Sequence, residues 1–127
     1  MPFTVSMVSQ SVTGVTTSET AVATIEPQGY NPANSDNIGL RGTLYFTGNA
    51  SASTVTVKVR QGSGTGGTVV FASPAITVAA AAVVAISYDC LDSTPGSTTQ
   101  YTVTMTASAA PGNSGNVTGT LLAFPIS

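Results

Sequence analysis

Histidine and tryptophan are absent from this chain of 127 residues, cysteine occurs once, and only eight side chains carry a full charge, three basic and five acidic. Each shortage removes a class of function. Without an imidazole, the usual general base and metal ligand is missing, and neither Cys90 nor any hydroxyl has a partner to activate it as a nucleophile. The remaining acids are Glu19, Glu26, Asp36, Asp89 and Asp92. They form no Asp-x-Asp-x-Asp-Gly run of the kind that gathers about six to eight oxygens around calcium. No enzyme, no cofactor and no metal are expected. Three cations cannot build the phosphate-neutralising stripe of a nucleic-acid binder, and no ladder of aromatics offers a stacking platform, so no nucleic acid is expected either. A lone cysteine closes no disulfide within the chain, and thiol usage therefore does not indicate a compartment. The start, Met1-Pro2-Phe3-Thr4-Val5-Ser6-Met7, has neither the basic flank nor the apolar run of a secretory signal. The longest apolar stretch, Ile76 to Ile86, is too short to span a bilayer. The expectation is a soluble, unprocessed product with no membrane partner.

What the chain has in abundance is threonine, serine and small apolar residues in alternation. Thr54-Val55-Thr56-Val57-Lys58-Val59-Arg60 is the clearest stretch, and because a strand sends successive side chains to opposite faces it reads as one apolar and one polar face. Hydrophobic residues make up 42% and charged ones 6%, against about a quarter charged in ordinary domains. Solubility then rests on hydroxyls, amides and backbone. With a net charge of −2, copies repel one another weakly, which favours close packing against neutral surfaces.

The period-two runs are separated by dense Gly, Pro and Asn punctuation. Phe3 to Thr17 alternates loosely, as an edge strand or an extended arm. Thr20 to Ile25 is a strand, followed by a loop from Glu26 to Asn37 that is long by the usual standard of about 4–6 residues. Ile38 to Phe46 and Thr54 to Arg60 read as a hairpin, the first with Leu40, Leu44 and Phe46 on one face and Arg41, Thr43 and Tyr45 on the other. Thr68 to Ala72 follows the glycine-rich segment 62–67 and ends before Pro74. Ile76 to Asp89 holds at least one strand, with Val84, Ile86 and Tyr88 on one side, and alanines 79 to 82 are the one place for a helical turn. Gln100 to Ala107 buries Tyr101, Val103 and Met105 and turns Thr102, Thr104 and Thr106 outward. A hairpin loop over residues 111–116 leads to the last strand, Val117 to Phe124. Seven or eight strands with short connections predict an all-β fold, an antiparallel β-sandwich of jelly-roll or immunoglobulin-like type over residues 19–127, preceded by the arm or edge strand of residues 1–18. Few lysines are available to blunt the sheet edges, and their natural cover is a partner subunit.

Asp89-Cys90-Leu91-Asp92 is the densest polar cluster and reads as a strand-end turn, with Cys90 a buried structural thiol. The segment 62–67 lacks the Lys-Ser/Thr of a phosphate loop and precedes a strand, so it is a hairpin tip. Asn49-Ala50-Ser51 and Asn116-Val117-Thr118 match a glycosylation sequon of the kind a threonine-rich chain produces by chance. Carbohydrate binding in a sandwich leans on exposed aromatics, and only Tyr30 and Tyr45 qualify. The segments expected to contact a partner are the 26–37 loop, through Pro27, Tyr30, Asn31 and Pro32, and the amino-terminal tract, through Phe3, Val5 and Met7, with Tyr45 on its polar strand face.

The segments Thr17 to Ile25, Gly42 to Gly48, Thr54 to Gly62, Asp92 to Gly96 and Tyr101 to Thr104 resemble the small β-sandwich virion proteins of tailed bacteriophages, nearest to those that stud the capsid as decoration or cement proteins. The resemblance runs from about residue 17 to the end and rests on strand and turn grammar. It implies a structural protein on the capsid surface of a virion, a homo-oligomer, often a trimer, that contacts the major capsid protein and stabilises the shell. Many modest contacts repeated over a shell sum to a large one. The alternative is a tail, fibre or adhesin module that recognises a cell-surface glycan.

Overall fold

A computed structural model describes residues 6–15, 17–26, 37–48, 52–94, 98–108 and 115–126. Its strands are β1 (Ser6–Val15), β2 (Thr20–Ile25), β3 (Asn37–Thr47), β4 (Ser53–Gln61), β5 (Val69–Ala72), β6 (Ile76–Val78), β7 (Val83–Asp92), β8 (Tyr101–Ala107) and β9 (Gly115–Ile126). They form two sheets. The first has the order β1-β9-β3-β7, the second β2-β8-β4-β5 with β6 also on β4, and every pairing is antiparallel. The all-β antiparallel sandwich expected from the alternation is what forms.

The nine strands among the described residues occupy eight lanes, because β5 and β6 share one lane along β4. Between them Ser73 carries the ladder past Pro74. Its amide donates to the Val57 carbonyl at 2.8 Å, and its Oγ accepts from the Val57 amide at 2.9 Å. With β5 and β6 taken as one lane, consecutive described strands lie in opposite sheets except for β4 and that lane, and β1 pairs with β9. That winding is a jelly roll, not the immunoglobulin arrangement, in which the first two strands pair in one sheet.

The expected hairpin of Ile38–Phe46 with Thr54–Arg60 is therefore incorrect, since β3 and β4 lie in opposite sheets. Alternation reports which face is apolar, and both sheets turn apolar faces inward. The five residues after Thr47 suffice to cross the ~10 Å between sheets. For the same reason residues 111–116 do not close a hairpin, because β8 and β9 belong to different sheets. The glycine-rich segment does form the β4–β5 tip, with Gly62 (φ 87°) and Gly64 (φ 81°) in the left-handed region. The Ile76–Asp89 run is broken at alanines 79 to 82, which form no helical turn. Ala81 takes φ 58° and the Ala82 amide donates to the Ala79 carbonyl, a tight turn that moves the chain from the second sheet to the first.

The core lies between the sheets. Leu40, Leu44 and Phe46 of β3, Ile86 of β7 and Leu121 of β9 face Val55, Val57 and Val59 of β4 and Val103 and Met105 of β8, all buried. One polar staple closes an end of it. Asp92, the last residue of β7, points inward and accepts from the Tyr101 hydroxyl (2.6 Å) and Gln61 Nε2 (2.9 Å) in the other sheet, and from the Thr94 amide (3.0 Å).

The outer face of the second sheet departs from the expected threonine display, for Thr102 and Thr104 are 0% exposed. Thr24 and the Gly62 carbonyl engage Thr102, and Glu19 covers Thr104. Its carboxylate takes two hydrogen bonds from Arg60, at 2.6 and 2.7 Å, and one from the Thr104 hydroxyl at 2.6 Å, while Arg60 also donates to the Gly67 carbonyl. The Arg60 hydrogen bonds hold the Glu19 carboxyl down to about 2, with burial opposing and Thr104 assisting. In the unfolded chain this group protonates near 4.5, so its contribution is complete above that pH and is lost as pH falls toward 2. Thermal melts should show Glu19→Gln less stable than the parent by about 2 kcal/mol at pH 7, with the gap closing between pH 4.5 and 2. A gap that stays constant would deny the clamp.

Candidate interaction face

The first sheet has an outer face of four strands whose register can be read as rows. Phe124, Gly39 and Leu91 form one, then Met7, Leu122, Arg41 and Asp89, then Ser9, Thr120, Thr43 and Ser87, then Ser11, Thr118, Tyr45 and Ala85. Hydroxyls link within rows, Ser11 to Thr118 at 2.9 Å and Thr43 to Ser87 at 3.4 Å. Its two charges cancel, since Arg41 donates to Asp89 at 3.2 Å with its guanidinium 5.3 Å above the Phe124 ring. That ring lies across Gly39, where a Cβ would collide with it. The face is thus nearly neutral, part hydroxyl and part apolar.

Within it the β3–β9 ladder opens. Pairing runs from Asn37↔Ile126 to Arg41↔Leu122 and resumes at Leu44↔Gly119 in the same register. In the gap, side chains replace backbone partners. The Thr43 amide donates to Thr120 Oγ1 at 3.0 Å, and the Tyr88 hydroxyl donates to the Thr120 carbonyl at 2.8 Å. Tyr88 points inward but reaches this carbonyl because its cross-strand neighbour is Gly42; a Cβ there would run into both the Thr120 carbonyl and the Tyr88 hydroxyl. Burial, followed by the nearby Cys90, raises the Tyr88 phenol well above its ordinary value and keeps it a neutral donor. The result is a groove of about 480 Å³ floored by Gly42 and Tyr88 and rimmed by Met7, Leu122, Arg41 and Asp89. Sequence reading missed it. Two glycines inside a strand run, at 39 and 42, were the available signal.

Of the residues expected to meet a partner, Met7 (72% exposed) and Tyr45 (52%) lie on this one face. Phe3, Val5, Pro27, Tyr30, Asn31 and Pro32 fall outside the described residues, as does the sequon at 49–51. The Asp89–Asp92 cluster is not a strand-end turn. All four residues belong to β7, and a spacing of three in a strand sends Asp89 outward and Asp92 inward, so the carboxylates cannot act together. Cys90 between them is half-buried, and burial, then Asp89 and Asp92, push its thiol up to about 12; it is a poor nucleophile. Among the described residues no three acids or thiols gather around a common point.

No protein-family model matches the chain, and no curated protein matches its sequence. Solved structures share its fold. A chain in the structure of infectious bursal disease virus Gx strain matches 98% of this chain and 33% of its own, at 14% identity and a TM-score of 0.61. The VP2 subviral particle of the same virus matches 97% and 32%, at 12% identity and a TM-score of 0.61. These are viral capsid proteins. The Bacillus endospore appendages, described as disulfide-linked pili, match 100% of this chain and 92% of theirs, at 17% identity and a TM-score of 0.51. The chain thus spans about a third of the length of the viral proteins it matches and nearly all of the pilus protein.

Proposed function

We propose that this chain is a structural subunit of a virion, a capsid decoration or cement protein of a tailed phage, seated on the capsid surface and in contact with the major capsid protein and with copies of itself. The observation that carries the reading is the outer face of the first sheet, a nearly neutral array of hydroxyl and apolar rows with Met7 and Tyr45 exposed on it. Such a face binds by shape and burial, and its affinity should depend little on salt. Support comes from the fold shared with the viral capsid proteins. Phe3, Val5, Pro27, Tyr30, Asn31 and Pro32 are proposed to extend the contact beyond this face. Particles lacking the chain should lose integrity at lower temperature than complete ones, and purified chain added back should restore it, whereas Tyr45→Asp chain should not. Equal heat resistance with and without the chain would refute the role.

A second reading, a fibre or adhesin module, is favoured by the near-equal length of the pilus match and by the groove, whose hydroxyls and Arg41–Asp89 pair suit a glycan. In that case the free protein binds cell envelopes and Arg41→Ala abolishes the binding.

A further inference from the structure

Three of the four sheet edges carry features that discourage another strand. On β1 the register shifts between Thr13 and Val15. On β2 it shifts between Ala21 and Ala23, and the Thr24 amide is taken by the Gln10 side chain at 2.9 Å. The lane of β5 and β6 shifts opposite Val59 and Arg60 and is interrupted at Pro74. β7 differs. Its ten residues pair with β3 in unbroken register without proline, lysine or bulge, and among the described residues no strand pairs with its far side.

The direction of its unpaired groups follows from its neighbours. Thr43, opposite Ser87, turns its amide and carbonyl toward Thr120 of β9. Thr43 and Ser87 are therefore a narrow pair without mutual backbone bonds, and Ser87 directs its own amide and carbonyl away from β3. In the opposite phase, the Ala82 carbonyl accepts from the Gly48 amide at 2.7 Å, on the β3 side. Residues 83, 85, 87, 89 and 91 thus aim donors and acceptors at the open edge, with their side chains on the outer face.

We propose that a second copy of this chain pairs along this edge, β7 against β7 antiparallel, across a two-fold axis through Ser87. This inference rests on the reading of the chain as an assembly subunit and specifies one of its contacts. The occupant is argued from self-complementarity. Val83, 69% exposed, and Leu91, 47% exposed, are the two large apolar side chains that β7 leaves in water, and they stand four residues either side of Ser87. The axis sets Val83 against the partner's Leu91 twice, and Asp89 against the partner's Ala85. Moving it to Ile86 sets Asp89 against the partner's Val83, and moving it to Asp89 opposes two carboxylates. The Arg41 ion pair already neutralises Asp89, which removes the one charge that would guard the edge. Five wide pairs give about ten backbone hydrogen bonds, and two four-stranded sheets become one of eight, with both grooves on the same side. The contact is two-fold, so the free protein associates in even numbers and not as the trimer implied by family resemblance.

Sedimentation velocity over a range of concentrations tests this. The parent should shift from monomer to dimer by on the order of 100 µM. Ser87→Pro removes an amide that is free in the monomer, a change edge strands accept; it should keep the circular dichroism of the parent and remain monomeric. Val83→Lys and Leu91→Glu should each weaken the dimer at least tenfold, and their combination should recover it, because each cation then faces the partner's introduced anion. A monomeric parent, a dimeric Ser87→Pro, or a double variant no better than the singles would overturn the proposal. If the parent is monomeric yet restores heat resistance to depleted particles, this contact fails and the assembly reading stands; if it dimerises as described and restores nothing, the contact stands and that reading fails.

Discussion

Asp92→Ala is expected to lower the free energy of unfolding by about 4 kcal/mol, a large share of the roughly 5–15 kcal/mol of a domain this size. The carboxylate is 3% exposed and accepts from Tyr101, Gln61 and Thr94. Removing it takes the acceptor of the Thr94 amide and one acceptor each from Tyr101 and from Gln61, which keeps only the Thr94 carbonyl at 3.1 Å. Buried donors that lose an acceptor cost about 1–3 kcal/mol each. The effect reaches beyond local satisfaction, because Asp92 sits in one sheet while Gln61 and Tyr101 sit in the other. Urea titration should show the midpoint falling with an unchanged slope. Tyr101→Phe, which removes one hydrogen bond and keeps the ring, should cost about 1.5 kcal/mol. An Asp92→Ala protein as stable as the parent would mean that the sheets need no polar staple.

Gly42→Ala is the second large effect, expected at about 3 kcal/mol. A methyl group at this position meets the Thr120 carbonyl and the Tyr88 hydroxyl. The first belongs to backbone and cannot swing aside, so β9 must move or Tyr88 must leave, and Tyr88 leaving breaks its hydrogen bond to Thr120. Differential scanning calorimetry should record the loss, and Tyr88→Phe in the Gly42→Ala background should cost less than it does alone, since the hydrogen bond is already broken. Independent, additive costs would show that the open ladder does not depend on the missing side chain.

Much of this architecture was legible in the sequence because β-structure writes its faces in period two. The stripe of Val55, Val57 and Val59, the outward Arg41, Thr43 and Tyr45, and the inward Ile86 and Tyr88 all follow from alternation. Sheet membership does not. β3 and β4 carry equivalent patterns, and only long-range pairing with β9 and β8 assigns them to different layers. Thr102 and Thr104 were misread for a related reason. Alternation puts them on the outer face, where the Glu19–Arg60 pair, 41 residues apart in sequence, closes over Thr104 and where Thr24 and the Gly62 carbonyl engage Thr102. The groove was invisible because it arises from what Gly42 lacks. The small inventory of charged and thiol groups, by contrast, is plain from composition.

The proposed role requires the first sheet to be buried against other structural subunits. Imaging of the assembled particle, at a resolution that traces individual strands, tests it most directly. The account predicts Met7, Tyr45 and the β7 edge covered by protein in every copy. Copies whose first sheet and β7 edge face solvent would contradict it.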